Sequence, residues 1–156
     1  MGWRTRGQST LDPSIDSDWD SDPKDDEKIV LAKSGIKLPD VLGKEEENDE
    51  IITQSFTFVA TAEAIIESRA IPVITEIDKT LNMDPKDLEK KITDKTKAII
   101  VVHMLGTPAR LKQIKAIADQ HGIPLIEDTA WGCGGYYNDI PLGTYGEIGT
   151  YSFDFA

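Results

Sequence analysis

Three stretches of this 156-residue chain gather side chains able to do chemistry, and each directly follows a short apolar run. Gln54-Ser55-Phe56-Thr57-Phe58 follows Ile51-Ile52-Thr53. His103-Met104-Leu105-Gly106 follows Ala98-Ile99-Ile100-Val101-Val102. Glu127-Asp128-Thr129-Ala130-Trp131-Gly132-Cys133-Gly134-Gly135 follows Leu125-Ile126. Together they offer acid, imidazole, aromatic and hydroxyl groups, the types that bind a small molecule and move protons. Each residue also has a plain structural role open to it. Asp128 can cap a turn, Phe58 can start a helix in the core, Ser152 can be an ordinary strand serine, and Trp131 can simply pack. His103 reads as a satisfied polar residue at a strand end. Cys133, set among glycines, reads as a small turn residue rather than a nucleophile. Gly132, Gly134 and Gly135 suit a tight backbone turn and lack the spacing of a dinucleotide fingerprint.

The elements that must position these groups follow from the apolar pattern. Ile51-Ile52-Thr53 is β-prone. Phe58 to Ser68 reads as a helix with Val59, Ala62, Ile65 and Ile66 on one face. Ile71-Pro72-Val73-Ile74 is the next strand. Asp84-Pro85 predicts a helix start, with Asp as N-cap and Pro at the first helical position; Leu88 and Ile92 then share a face. The unbroken run Ala98–Val102 has the character of a strand buried on both sides, as in a parallel sheet. Pro108 opens another helix, with Leu111, Ile114, Ile117 and Ala118 at helical spacing and Gly122 closing it. Leu125-Ile126 and Thr150-Tyr151-Ser152-Phe153 are the last strands. Alternating strands and helices predict an α/β fold, a mostly parallel sheet flanked by helices. In such sheets ligands lie beyond the carboxyl ends of the strands, where the three stretches fall.

Charge divides the chain differently. The net charge is −11, from 28 acidic and 17 basic residues, and residues 1–50 hold 14 of the acids against 7 bases. Asp16-Ser17-Asp18-Trp19-Asp20-Ser21-Asp22 and Asp25-Asp26-Glu27 cannot bury enough apolar area to offset chain entropy. Residues 1–27 are therefore expected to form an acidic disordered tail. The stretch lacks the Gly of a calcium loop, Ser21 standing at that position. Residues 28–48 are poorly defined, and residues 49–156 carry the regular pattern. The acidic balance argues against nucleic acid and anionic membranes as partners. No run reaches the roughly 20 apolar residues of a membrane span, and Met1–Thr10 lacks the apolar core of a signal peptide. With one cysteine and no leader, the expected location is cytoplasmic. Two His and one Cys leave little for a transition-metal site.

Four segments in order carry a resemblance. Asp49–Thr61, Thr96–Gly106, Ile126-Glu127-Asp128-Thr129-Ala130 and Gly146–Ala156 resemble motifs of the DegT/DnrJ/EryC1/StrS aminotransferases, PLP-dependent enzymes of fold type I. The resemblance covers residues 49–156, about two-thirds of the chain, and implies part of that family's large domain. It implies pyridoxal 5′-phosphate as cofactor, with Asp128 at the pyridine nitrogen, Phe58 stacked on the ring and Ser152 donating to the phosphate. Trp131 stands where the family often has His or Gln reaching the phenolic oxygen; an indole can donate there but not accept. The implied substrates are an amino donor such as glutamate and a nucleotide-linked keto sugar, and intact members are homodimers.

The resemblance also implies what this chain lacks. The family's Schiff-base lysine follows the stretch matched by Ser152-Phe153-Asp154-Phe155-Ala156, so no catalytic lysine is expected among these residues. The upstream phosphate loop and C-terminal small domain have no counterpart, Ser34-Gly35 being no match for the loop. A fragment inactive on its own is the expectation. The rivals are a PLP-dependent sugar dehydratase of the same fold, a non-catalytic remnant that binds a partner through its tail, and a plain α/β nucleotide-binding module.

Overall fold

The structure, a computed structural model, describes residues 48–153. The expectations for residues 1–27, for 28–47 and for Asp154-Phe155-Ala156 lie outside the described residues. Five strands form one parallel sheet: β1 (Glu50–Gln54), β2 (Ile71–Thr75), β3 (Thr96–Val102), β4 (Leu125–Asp128) and β7 (Ile148–Thr150), in the order β2-β1-β3-β4-β7. Helix α1 (Val59–Glu67) follows β1, α2 (Pro85–Lys91) precedes β3, and α3 (Leu111–His121) precedes β4. A two-stranded hairpin, β5 (Tyr136–Tyr137) and β6 (Ile140–Pro141), interrupts the path from β4 to β7. The sequence reading missed it. Its signal is Asn138-Asp139, both at positive φ, the backbone that a two-residue hairpin turn requires.

Alternation along the strands supplies both layers. Ile52, Ile99, Val101 and Leu125 face one side and pack with Leu88 of α2 and Leu111, Ile114 and Ala118 of α3. Ile51, Ala98, Ile126 and Ile148 face the other side and pack with Ile65 of α1. The first cluster has twelve buried residues and the second five, so among the described residues the α1 side is the thinner layer.

The predicted helix start at Asp84 is observed: its side chain accepts from the Lys86 N–H at 2.9 Å, and Pro85 begins α2. Gly122 ends α3 in the left-handed conformation, φ 67°.

Three expectations need correction. Helix α3 starts at Leu111, not Pro108, because the Ala109 N–H is held by the His103 ring and keeps that segment non-helical. The last strand is Ile148–Thr150 rather than Thr150–Phe153: β4 ends at Asp128, which pairs with Thr150, and no strand continues beyond it to pair with. Helix α1 buries Thr61 and Ile65, while Val59 and Ile66 are exposed. The buried face thus keeps Ile65 of the expected set and adds Thr61, whose polar contact is described below.

Candidate active site

The direction of the chain along the sheet reverses between β1 and β3: β2 lies on one side of β1, and every later strand lies on the other. Ligand crevices of open α/β sheets form beside such a reversal, at the carboxyl ends of the strands. Here the turns leaving β1, β3 and β4 are bound into one another by buried polar groups.

Gln54 ends β1 fully buried. Its Oε1 accepts from the N–H groups of Val102 and Met83, at 3.2 and 3.1 Å, and its Nε2 donates to the Phe56 carbonyl at 2.9 Å. Gln54 thereby shapes the turn that delivers Phe58. Asn82 does the same after β3: Oδ1 accepts from Met104 N–H at 2.9 Å and Nδ2 donates to the Thr107 carbonyl at 3.0 Å. The turn after β4 leans on the turn after β3. A Cβ at Gly132 would meet His103 Cβ at 3.3 Å, and one at Gly106, where φ is 75°, would meet the Trp131 carbonyl at 3.2 Å. At either position a side chain would push its neighbour by a few tenths of an ångström, and at Gly106 the positive φ adds strain for any other residue.

Two adjacent acids close β4 and point to opposite faces. Glu127 is wholly buried on the α3 side. It accepts from His103 Nε2 at 3.1 Å and from the backbone N–H of Gly143, Tyr145 and Gly146 at 2.9, 2.6 and 2.7 Å. Burial pushes its carboxyl up, but the hydrogen bonds from His103, Gly146 and Gly143 outweigh burial and hold it below the ordinary glutamate range. His103 Nδ1 accepts from the Ala109 N–H at 3.1 Å, so the ring's donated proton sits on Nε2, facing Glu127. His103 is thus a satisfied polar residue, as the sequence suggested.

Asp128 is half-buried on the α1 side. Thr61 Oγ1 donates to its Oδ2 at 3.0 Å, and Ala130 N–H donates to its Oδ1 at 3.1 Å. A carboxylate offers about four lone-pair sites, so Asp128 keeps acceptor capacity that Glu127 has spent. Thr61 lies three residues into α1 from Phe58, which brings the start of that helix to the end of β4. Phe58 occupies the N-cap position with no side-chain cap and is 64% exposed. Ser, Thr, Asp or Asn there would stabilise the helix by about 1 kcal/mol. Trp131 is 50% exposed on the turn after Asp128. Ser152 is exposed two residues past Thr150, the partner of Asp128, and so lies at the same edge.

The structure thus places Asp128, Phe58, Trp131 and Ser152 along one strand-end edge, with Asp128 and the Phe58 helix joined directly by hydrogen bonding. Sequence reasoning missed Thr61 and Glu127. Thr61 gave no signal, being one threonine in an apolar helix. Glu127 could have been found as an acid placed in phase with Leu125 on an inward face.

Among the described residues, no helix is long and apolar enough to cross a membrane. Residues 31–155 match the model of the DegT/DnrJ/EryC1/StrS aminotransferase family. The chain is 48% identical over 106 residues to a pleiotropic regulatory protein of Geobacillus stearothermophilus, covering 67% of this chain and 28% of that one. It is 43% identical over 106 residues to the UDP-N-acetyl-3-dehydro-alpha-D-glucosamine 3-aminotransferase of Acidithiobacillus ferrooxidans, covering 67% and 29%. Among solved structures it is similar to the aminotransferase from Psychrobacter cryohalolentis, with a TM-score of 0.66 and 36% identity, covering 68% of this chain and 27% of that one. The chain therefore spans little more than a quarter of the length of these relatives.

Proposed function

The chain belongs to the DegT/DnrJ/EryC1/StrS aminotransferase family, and from that premise we propose that its strand-end edge is the pyridoxal 5′-phosphate cradle of a sugar aminotransferase. The observation that carries this reading is Asp128: a half-buried carboxylate, oriented by Thr61 and Ala130, with lone pairs left over at the edge where ligands bind. The surrounding groups fit the cofactor. A pyridinium ring needs an anion at its nitrogen and a flat partner on its face; Asp128 and the exposed ring of Phe58 supply them. A phosphate needs donors, and the Ser152 hydroxyl is one that adds no charge. Trp131 walls the site or donates to the phenolic oxygen.

When bound, the cofactor supplies an electron sink that lets an amino group pass from donor to acceptor. Asp128 keeps the proton on the ring nitrogen, and Phe58 holds the ring plane and excludes water. The substrates we assign are an amino donor such as glutamate and a nucleotide-linked keto sugar, the class named for the Acidithiobacillus relative. Val59, Ile66, Ile71 and Ile74 are exposed on α1 and β2, apolar surface that supports association with further protein, a second subunit included.

The test is a graft: residues 49–156 replace the corresponding segment of a full-length family aminotransferase. Glutamate and a nucleotide-linked keto sugar should give an amino sugar, and Asp128→Ala should lose most of that activity. Near-full activity of Asp128→Ala would remove the cradle assignment.

A further inference from the structure

We propose that Thr61 is a positioning residue for the cofactor: a directed pair of hydroxyls, Thr57 then Thr61, fixes the orientation in which Asp128 presents its free lone pairs. The inference rests on the reading of Asp128 given above. Its basis is a proton count. An ionised carboxylate only accepts hydrogen bonds, so in the 3.0 Å contact between Thr61 Oγ1 and Asp128 Oδ2 the threonine is the donor. Thr61 has one hydroxyl hydrogen and has spent it there. The 3.0 Å contact between Thr57 Oγ1 and Thr61 Oγ1 then runs from Thr57 as donor to Thr61 as acceptor. The two hydroxyls point one way, toward the carboxylate, and each bond polarises the next.

The arrangement does more than satisfy a buried group. Thr61 is buried and belongs to α1; Ala130 belongs to the turn after β4. The two donors reach different oxygens of Asp128 from different elements, which fixes the plane of the carboxylate. Rotation of that plane would break one bond or the other. Thr61 shares the buried face of α1 with Ile65, while Val59 and Ile66 are exposed. A hydroxyl in that position, rather than a better helix former, is what the orientation of Asp128 requires. The bond to a charged acceptor is of the stronger kind.

The experiment uses the full 156-residue chain and pyridoxal 5′-phosphate itself as probe, with affinity measured by calorimetry. Thr61→Val keeps the shape and removes the donor; Thr61→Ser keeps the donor. Thr61→Val should bind about tenfold more weakly, about 1.4 kcal/mol, and Thr61→Ser should bind like the parent. Thr57→Val, which leaves the buried threonine in place, should weaken binding about twofold to threefold and serves if Thr61→Val does not fold.

Two readouts separate positioning from a structural role. Without cofactor, the Ala130 amide should exchange faster in Thr61→Val and unchanged in Thr61→Ser. With ring-labelled cofactor, the nitrogen-15 signal should report a protonated ring in the parent and an unprotonated one in Thr61→Val at the same pH. Parental affinity in Thr61→Val, with a protected Ala130 amide, would overturn the proposal while Asp128→Asn still binds weakly. Equal weakening by Thr61→Ser and Thr61→Val would overturn it too, since the hydroxyl would then not matter. If Asp128→Asn binds as tightly as the parent, the assignment of Asp128 itself fails, and the proposal with it.

Discussion

Glu127 and Asp128 are neighbours in sequence, share a strand and differ by one methylene, yet they serve opposite ends. Glu127 faces the thick layer of the sheet, is sealed from solvent and accepts from one imidazole and three backbone N–H groups. Its bonds tie the 143–146 loop and the β3 turn to β4, and they leave it nothing to offer a ligand. Asp128 faces the thin layer, is half open and, among the described residues, takes donors from Thr61 and Ala130. Strand alternation sends the two side chains to opposite faces, and the groups waiting on each face decide the rest. The difference teaches that a strand-end acid is a binding candidate only when the protein leaves its lone pairs unspent.

The comparison breaks first on stability. Glu127→Leu would leave four donors without their acceptor, two of them buried and two part-buried, and should cost about 4 kcal/mol in urea unfolding, whereas Asp128→Asn should cost less than about 1 kcal/mol. Similar losses at the two positions would erase the distinction. Gly149 pairs with Glu127 across β7, and a Cβ there would sit 2.0 Å from the Gly143 carbonyl oxygen. Gly149→Ala should therefore push the Glu127-binding loop away and cost about 3 kcal/mol, with cofactor affinity reduced only as far as the fold is lost.

Acid sharpens the same contrast. The folded Glu127 carboxyl lies below the ordinary glutamate value of about 4.3. The unfolded chain therefore takes up the proton first as pH falls. The stabilisation is present in full above that value and is lost as pH drops through the folded pKa. Stability measured from pH 6 downward should fall less steeply in Glu127→Gln than in the parent.

The smallest effect concerns Phe58. Phe58→Ser supplies the missing helix cap and should raise stability by about 0.5 to 1 kcal/mol while weakening cofactor binding. A variant that gained both would show that the exposed ring has no ligand to hold.

Much of this was legible in the sequence, and the limits have physical causes. The parallel sheet followed from runs such as Ala98–Val102. The start of α2 followed from Asp84-Pro85, and the edge bearing Asp128 followed from where the runs stop. What stayed hidden depends on tertiary contact. The Thr61 hydroxyl has meaning only once β4 places Asp128 67 residues away beside it, and the buried face of the helix therefore joins Thr61 to Ile65 while Val59 and Ile66 are exposed. Pro108 misplaced the start of α3 because the His103 ring captures the Ala109 amide. The role of Glu127 depends on a loop that folds back from residues 143–146. Ser152 was read as part of a strand, and it lies past the strand because β4 ends first.

The central claim is that the carboxyl edge of the sheet holds the cofactor through Asp128. An amide-resolved NMR titration of the chain with pyridoxal 5′-phosphate tests it most directly. The account predicts shifts at Phe58, Thr61, Asp128, Ala130, Trp131 and Ser152, all diminished in Asp128→Asn. Shifts confined to the opposite edge, around Asp119, Gly122 and Glu147, or shifts unaltered by Asp128→Asn, would contradict it.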